Sequence, residues 1–359
     1  MRLAIAGGGT GGHLFPGIAV AEEWLSRSPD NEVLFIGTEK GIEARTLPRL
    51  GYALELISAA GVRGKGGLTQ MKGMAMLLYA YAQSRRILRQ FRPDAVLGVG
   101  GYASGPLVLA AKGMQIPCYI HEQNAIPGFT NKVLARIARR VFVSFEHSQK
   151  FFPEEKTILT GNPLRRQILG QVTATETERD ADRFSLLVFG GSLGAHSINL
   201  AMADAAAFLA PESAGLSILH QTGEKDVEEV RKAYAAAGLD AEVLPFIDGM
   251  AAAYGGADLL ICRAGATTVA EVTACGKPCI FIPFPHAVDD HQRRNADALL
   301  NRGACFMFLE QELTGQKLAE TVLMLMKDRE LLARTAAAAR ELARLDAAPR
   351  IVDEIVATI

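Results

Sequence analysis

The sequence predicts an α/β protein built from two doubly wound, Rossmann-like domains. Short apolar runs alternate with longer helical stretches along the whole chain. Two of those runs, far apart, lead straight into a glycine-rich turn and then a helix. The length of 359 residues also exceeds what one ordinary core accommodates. Strands alternating with helices imply right-handed crossovers and therefore parallel sheets.

Taken in order, the runs that read as buried strands are 3–6, 33–36, 95–97, 118–120 and 141–143. After a polar break they resume at 186–189, 217–220, 241–244, 259–262 and 279–282. Helices are expected at 16–27, 74–90 and 198–209, among others. Residues 173–183 are polar and read as a loop near the domain border. The charged, alanine-rich tail from Leu331 reads as helical, with its last part crossing back onto the first domain. The expected division is 1–162 with a helix at about 342–359, and 163–341, the two facing each other across a cleft.

Composition narrows the classes. Apolar residues make up 49 % and charged ones 21 %, a globular balance that is neither disordered nor fibrous. The net charge of −1 hides an asymmetry: residues 1–160 hold 19 Lys and Arg against 12 Asp and Glu, and the remainder holds 19 against 27. A basic first half suits an anionic ligand or surface, although compensating charge between docked domains gives the same totals. The cysteines Cys118, Cys262, Cys275, Cys279 and Cys305 are odd in number and form no C-x-x-C pair. They point away from disulfide frameworks and zinc and toward a reducing cytoplasm. No signal peptide is expected ahead of the first strand. No run approaches the roughly 18 apolar residues of a spanning helix, so membrane contact is expected to be peripheral. The basic residues lack a recognisable module or interleaved aromatics, so nucleic acid is not expected as a partner.

Gly7-Gly8-Gly9-Thr10-Gly11-Gly12-His13 follows the first strand. Residues without side chains let phosphates approach backbone N–H groups at a helix N-terminus, where the dipole favours negative charge. Gly7, Gly9 and Gly12 also satisfy G-x-G-x-x-G, the dinucleotide fingerprint, with Glu39 as a candidate acidic partner. A second cluster, Gly98-Val99-Gly100-Gly101-Tyr102-Ala103-Ser104-Gly105-Pro106, follows the strand at 95–97. A third, Gly190-Gly191-Ser192-Leu193-Gly194-Ala195, follows the strand at 186–189. One such loop is a tight turn about as often as a ligand site. Three, each at the C-terminal end of a parallel strand, match the place where doubly wound sheets bind ligands.

Further motifs follow in order: His121-Glu122-Gln123-Asn124, Gly161-Asn162-Pro163 with Arg165, Phe246-Ile247, and Cys262-Arg263-Ala264-Gly265-Ala266 through Glu271. The last are Asp289-Asp290-His291-Gln292 and Asn295-Ala296. Together with the glycine loops they cover nearly the whole chain, and the ordered set resembles the peptidoglycan-precursor N-acetylglucosaminyltransferases of the two-domain GT-B glycosyltransferase superfamily. The resemblance implies an inverting transfer of N-acetylglucosamine from UDP-N-acetylglucosamine to the 4-hydroxyl of undecaprenyl-diphospho-N-acetylmuramyl-pentapeptide. It implies no tightly bound cofactor and no metal. The donor is placed mainly on the second domain, with Ser192 at the diphosphate and Ile247 meeting uracil through its backbone. Glu271 is placed at the ribose hydroxyls, and Gln292 at the sugar hydroxyls. The helix start Ala266, Thr267, Thr268, Val269 and Ala270 is placed facing the diphosphate. Asn124 and Arg165 would close over the donor, with Thr10, Gly11 and Gly12 beneath the sugar. The acceptor's diphosphate is placed on the N-terminal loops, at Gly9, His13, Gly101, Tyr102, Ser104 and Gly105. A carboxylate suits a cis-diol, and helix N-termini suit a diphosphate leaving group. A base must take the hydroxyl proton; His13, with a reference pKa of about 6.5, is the first candidate and Glu122 the second.

Several features have blander readings. His121, between Ile120 and Glu122, reads as structural. Asp180-Ala181-Asp182 resembles a D-x-D metal clamp but sits in a charged linker and reads as a solvated loop. Residues 74–81 are apolar and edged by Lys65, Lys72, Arg85, Arg86 and Arg89. This is either a core helix with a solvated end or a helix lying on an anionic bilayer. The lipid acceptor implied by the resemblance favours the bilayer, with Lys72, Met76, Leu77, Tyr79 and Arg85, joined by Arg139 and Arg140, as the contact patch. The expected location is then the cytoplasmic face of the inner membrane, with other cell-wall synthesis proteins as possible partners. Three other readings stay open: another lipid-linked acceptor, a nicotinamide-dependent oxidoreductase, and a non-catalytic sugar-nucleotide sensor.

Overall fold

A computed structural model describes residues 1–59, 67–173, 183–191 and 194–359, with the side chains of 67–72 and 173 outside that description. The chain divides into two compact units, Met1–Arg166 with Arg344–Ile359, and Gln167–Ala343.

The first unit carries strands β1 (Arg2–Ala6), β2 (Glu32–Gly37), β3 (Ala53–Leu56), β4 (Ala95–Gly98), β5 (Cys118–Glu122), β6 (Arg140–Val143) and β7 (Thr157–Leu159). They form a parallel sheet in the order β3-β2-β1-β4-β5-β6-β7. Its helices are α1 (Gly11–Ser26), α2 (Glu43–Arg49), α3 (Gly67–Phe91), α4 (Ser104–Gly113), α5 (Phe129–Leu134) and α6 (Glu146–Gln149). At the border α7 (Arg166–Thr173) leads into the second unit. There β8 (Phe184–Phe189), β9 (Leu216–Gln221), β10 (Asp240–Leu244), β11 (Leu259–Cys262), β12 (Cys279–Phe281) and β13 (Phe306–Met307) make a parallel sheet ordered β10-β9-β8-β11-β12-β13. The accompanying helices are α8 (His196–Leu209), α9 (Val227–Ala236), α10 (Met250–Gly256), α11 (Ala266–Cys275), α12 (His291–Leu300), α13 (Gly315–Lys327) and α14 (Arg329–Glu341). The last helix, α15 (Ala347–Thr358), belongs to the first unit.

Every one of the ten strands expected from the apolar runs is present. Nine of them are interior to their sheets, and their apolarity has a simple cause: central parallel strands are covered on both faces, so neither face needs polar residues. The tenth, β10, is an edge strand with exposed Asp240 and Glu242. In β1 the alternation of side chains sends Leu3 and Ile5 into one layer, with Leu14, Ile18 and Trp24 of α1. Ala4 and Ala6 enter the other, with Leu88 of α3 and Leu107 and Val108 of α4. The helix expected at 16–27 begins earlier, at Gly11, with Pro16 inside it, so the end of the first glycine loop is already helical. Most of the polar stretch expected as a linker, including Asp180 and Asp182, lies outside the described residues.

Helix α15 is built into the first unit's core. Ile351, Val352 and Ile355 pack with Leu3, Ile5 and Trp24, and burial of each aliphatic side chain stabilises by about 1.5–3 kcal/mol. Arg140 pairs with Glu354 at 2.6 Å and Arg27 with Asp353 at 3.0 Å. The Tyr119 hydroxyl lies 2.9 Å from Thr358 Oγ1.

Ile355→Ala should therefore cost about 2–5 kcal/mol of first-unit stability, whereas the neighbouring exposed Val356→Ala should cost less than about 0.5 kcal/mol. The only tryptophan, Trp24, is fully buried in the same cluster, so its fluorescence during urea unfolding reports this unit alone. Equal midpoints for the two variants would mean that α15 is not built into the core.

Candidate functional site

In each unit the strand order reverses once, between β1 and β4 and between β8 and β11, and a glycine-rich loop leaves β1, β4 and β8. At the first switch point the backbones nearly touch. A Cβ on Gly101 would run into the Gly8 carbonyl, one on Gly7 into Val99, and one on Gly100 into the His13 ring. Gly100 and Gly101 also have φ of +97° and +77°, which side-chain-bearing residues rarely adopt. Ser104 ties the two strand ends together: its Oγ lies 2.8 Å from Ala6 O and 2.7 Å from Gly100 O, and accepts the Gly100 N–H at 3.0 Å. Ser104, one of the expected acceptor-binding residues, is fully buried, and its hydroxyl is engaged in shaping the loops.

Beneath the first loop lies a buried carboxylate that no sequence motif marks. Glu43 accepts the Gly9 N–H at 2.7 Å, the Thr38 N–H at 2.9 Å and the Thr38 hydroxyl at 3.1 Å. A Cβ on Gly8, Gly37 or Gly41 would collide with it. The amide of Gly9 is thus engaged by an anion. A dinucleotide pyrophosphate against Gly8 and Gly9 would meet that negative charge, which argues against the fingerprint reading. Glu39, its candidate partner, is exposed. His13 sits in the first turn of α1, half-buried, with Nδ1 3.3 Å from Thr10 Oγ1. Gly9 and Thr10 are exposed, Gly11 and Gly12 half-buried.

At the end of β5, three successive side chains hold loops in place. His121 is fully buried, and burial pushes its pKa down to about 4. Its Nε2 faces the Gly161 carbonyl at 3.1 Å, and its Nδ1 faces Gln123 Nε2 at 2.9 Å. A carbonyl can only accept, so the ring is neutral with its proton on Nε2. Gln123 also donates to Val99 O at 2.8 Å. Glu122 accepts from Asn124 N at 3.0 Å, Asn124 Nδ2 at 3.3 Å, Gly128 N at 3.1 Å and Asn131 Nδ2 at 2.9 Å. Burial pushes its carboxyl above the usual range against the pull of those bonds. Both oxygens of Glu122, the second candidate base, are engaged by Asn124, Gly128 and Asn131, and the residue is buried. Arg165 stacks on Phe15 of α1, its guanidinium carbon 4.2 Å from the ring centroid. Gly105 is buried, Gly101 half-buried and Tyr102 exposed.

In the second unit, α11 starts at Ala266 after an extended Gly265 with no side-chain cap, at the C-terminal end of β11 beside the switch point. Glu271, one turn further and buried, accepts the Tyr254 hydroxyl at 3.0 Å; Val269 is buried and Ala270 half-buried. Arg263 donates to Ser197 Oγ at 2.9 Å and to Ile282 O and Pro283 O at 3.1 and 3.2 Å, and pairs with Glu310 at 2.6 Å. It locks the start of α8 to the loop after β12, where the Phe284 N–H donates to Gln292 Oε1 at 3.0 Å. Asp289 and Asp290, both at φ +54°, turn the chain into α12. A cavity of about 770 Å³ runs along β8, β9 and β10 to Phe246 and Ile247. Ser192, assigned to the diphosphate, lies outside the described residues. Among the described residues no group of three or more His, Cys, Asp or Glu is placed to hold a metal ion.

A second buried histidine sits behind the third glycine loop. Asn199 Nδ2 donates to Thr222 O at 2.8 Å and Asp226 Oδ2 at 2.7 Å, so Asn199 Oδ1 must accept from His220 Nε2, at 3.1 Å. Tyr234 then donates to His220 Nδ1 at 2.8 Å. Burial pushes the His220 pKa down to about 3.

The apolar stretch on α3 is largely uncovered. Met74, Met76, Leu78 and Tyr79 are exposed, Leu77 is half-buried, and Arg85 lies against the Tyr81 ring. Arg139 is exposed. Arg140 is committed to Glu354, which weakens its place in the patch. The Lys72 side chain and all of Lys65 lie outside the described residues. No helix among the described residues is long and apolar enough to cross a membrane.

Comparison with known proteins matches each unit in turn. The glycosyltransferase family 28 N-terminal domain matches residues 3–143, and the family's C-terminal domain matches residues 185–351. A Geobacter sulfurreducens protein is 65 % identical over 359 residues, spanning 100 % of this chain and 99 % of its own. Its name is UDP-N-acetylglucosamine–N-acetylmuramyl-(pentapeptide) pyrophosphoryl-undecaprenol N-acetylglucosamine transferase. A Geobacter metallireducens protein of the same name is 66 % identical over 357 residues, spanning 99 % and 98 %. The crystal structure of Acinetobacter baumannii MurG matches with a TM-score of 0.78 at 35 % identity, over 99 % of both chains.

The two buried histidines make stability depend on pH. Their folded pKa values lie below the ordinary value of 6.5, so the unfolded chain binds protons that the folded one refuses. Stability from this source is complete above about pH 6.5 and falls toward pH 4, by up to about 1.4 kcal/mol per pH unit for each ring. Glu122, shifted upward, works in the opposite sense and offsets some of the loss. Urea midpoints should drop steadily from pH 7 to pH 5, and less steeply for His220→Gln. A flat profile would mean that the rings are charged in the folded protein.

Proposed function

The chain belongs to glycosyltransferase family 28, and from that premise we propose that it transfers N-acetylglucosamine from UDP-N-acetylglucosamine to the 4-hydroxyl of a lipid-linked N-acetylmuramyl-pentapeptide. The observation that carries the reading is the full-length identity of 65 % to a transferase of that name. The reaction is an inverting displacement. The muramyl oxygen forms the bond to the anomeric carbon, the bond from that carbon to the UDP phosphate oxygen breaks, and the hydroxyl proton leaves to a base.

The second unit, Gln167–Ala343, takes the donor. Ile247 meets uracil through its backbone, Glu271 accepts from the ribose hydroxyls, and Gln292 meets the sugar. The uncapped start of α11 carries the growing charge on the departing diphosphate, with Ser192 assigned to the same group. In the first unit His13 is the base, reached beside Thr10, Gly11 and Gly12; Asn124 is held for the donor by Glu122, and Arg165 by its stack on Phe15. The Glu43 carboxylate under Gly9 directs the acceptor's diphosphate toward the other loop, at Gly101, Tyr102 and Gly105, where α4 presents its N-terminus.

Membrane attachment belongs to the same reading. Exposed Met74, Met76, Leu78 and Tyr79, with Arg86 and Arg89 exposed on the same helix, suit peripheral contact with an anionic bilayer, on the cytoplasmic face of the inner membrane.

With UDP-N-acetylglucosamine and a short-chain analogue of the muramyl lipid, UDP release should require the acceptor, and the product should gain one N-acetylhexosamine by mass. His13→Ala should lower kcat by about 10²-fold or more while UDP binding persists; unchanged kcat would remove His13 as the base. Vesicles containing phosphatidylglycerol should sediment the protein and pure phosphatidylcholine vesicles should not. The double variant Leu78→Glu, Tyr79→Glu should cut the bound fraction about tenfold. Equal binding of parent and variant would place the contact elsewhere.

A further inference from the structure

Gln221 is the last residue of β9, and it is 3 % exposed. In the sheet it stands opposite Phe189, the last residue of β8, and opposite Leu244, the last residue of β10. The chain therefore leaves the sheet at the same level on both sides of it. On one side it enters the third glycine loop; on the other it turns through Pro245 and Phe246 to Ile247. The Gln221 side chain bridges the two exits. Its Nε2 donates to the Gly191 carbonyl at 2.7 Å, and its Oε1 accepts the Ile247 N–H at 3.4 Å. The amide cannot be turned round, because that would set donor against donor at Ile247 and acceptor against acceptor at Gly191.

The surrounding backbone is fixed on the Ile247 side. Thr222 N–H donates to Leu244 O at 3.0 Å and Gly223 N–H to Pro245 O at 3.1 Å. The two bridging bonds differ in strength: the one to Gly191 is short, and the one to the Ile247 amide is long enough to be weak.

We propose that Gln221 is a positioning residue that sets the spacing between the base end and the diphosphate end of the donor nucleotide. The inference rests on the donor assignment above, in which uracil meets Ile247 and the diphosphate meets the third glycine loop. A nucleoside diphosphate gains from both ends only if their sites are held at the right separation; either end alone gains nothing from the bridge.

Calorimetric titration of the full-length protein with UDP and with uridine tests this. Gln221→Met removes both bridging bonds and should weaken UDP by about tenfold, and uridine by less than about threefold. Gln221→Glu keeps an acceptor for Ile247 but sets an oxygen against the Gly191 carbonyl, and should likewise weaken UDP and spare uridine. In turnover, KM for UDP-N-acetylglucosamine should rise while KM for the acceptor holds. Equal losses for UDP and uridine would reduce Gln221 to a general packing role, and unchanged UDP affinity in a folded variant would overturn the proposal. The parent protein supplies a test independent of variant folding: with UDP bound, the Gln221 side-chain amide protons should stay slow to exchange, and fast exchange would also overturn it. If the parent binds neither UDP nor uridine, the donor assignment itself fails and takes this inference with it. If the parent binds UDP and the bridge proves irrelevant, only this inference fails.

Discussion

The contact on which the first unit's site depends is backbone against backbone. Gly101 approaches the Gly8 carbonyl, and Gly100 the His13 ring, at distances that leave no room for a Cβ. Parallel strands at a switch point send their connections in opposite directions, which ordinarily opens a crevice between them. Here the crevice floor is narrowed until the loops touch. Ser104 then bonds within both strand ends, and the first turn of α1 brings His13 over the contact. A methyl group at any of these glycines would displace the His13 ring or push the strand ends away from each other. The loops therefore hold their composition for steric reasons before any ligand is considered.

The second unit reaches the same end by other means. Gly194 packs on the Thr222 carbonyl, but the work of holding that carbonyl falls to Asn199, backed by His220, Tyr234 and Asp226. Each donor in this chain has one acceptor of the right kind, and the buried imidazole stays neutral. A polar network so fully matched avoids the cost of burying unsatisfied groups and fixes a single geometry. The first unit has a partial counterpart in His121, Gln123 and the carbonyls of Val99 and Gly161, where Gln123 Oε1 is left without a hydrogen-bond partner among the described residues.

Much of the architecture is legible in the sequence because central parallel strands leave a plain signature of unbroken apolarity. The strands that escape it are β3, β7 and β13. They are edge strands of two to four residues whose side chains are largely half-buried or exposed, so neither alternation nor an apolar run marks them. The start of α1 is hidden because glycines and an internal Pro16 mask a helix that tertiary contacts impose. Within the site, residues on glycine loops and at strand ends can be found from their motifs. Glu43, Gln221 and Asn131 cannot, since a lone carboxylate or amide in a helix or strand carries no pattern. Glu122 and Ser104 are found from their motifs, and their burial and the loop bonds they make are visible only in the structure.

The glycine loops look alike in sequence and differ in electrostatics. Under the first, Glu43 occupies the Gly9 amide and sets a negative charge below the turn. Behind the third, Gln221 offers a neutral amide to Gly191, and the uncapped start of α11 adds the positive end of a helix dipole. An anionic diphosphate is disfavoured at the former and welcomed at the latter. Under the proposed function this division has a chemical purpose: the loop that repels phosphate is where a hydroxyl must lose a proton, and the loops that attract it are where a diphosphate must depart. Under that reading a shared motif serves two different chemical demands, and the buried residues that set the loops apart, Glu43 and Gln221, are ones the motif does not mark.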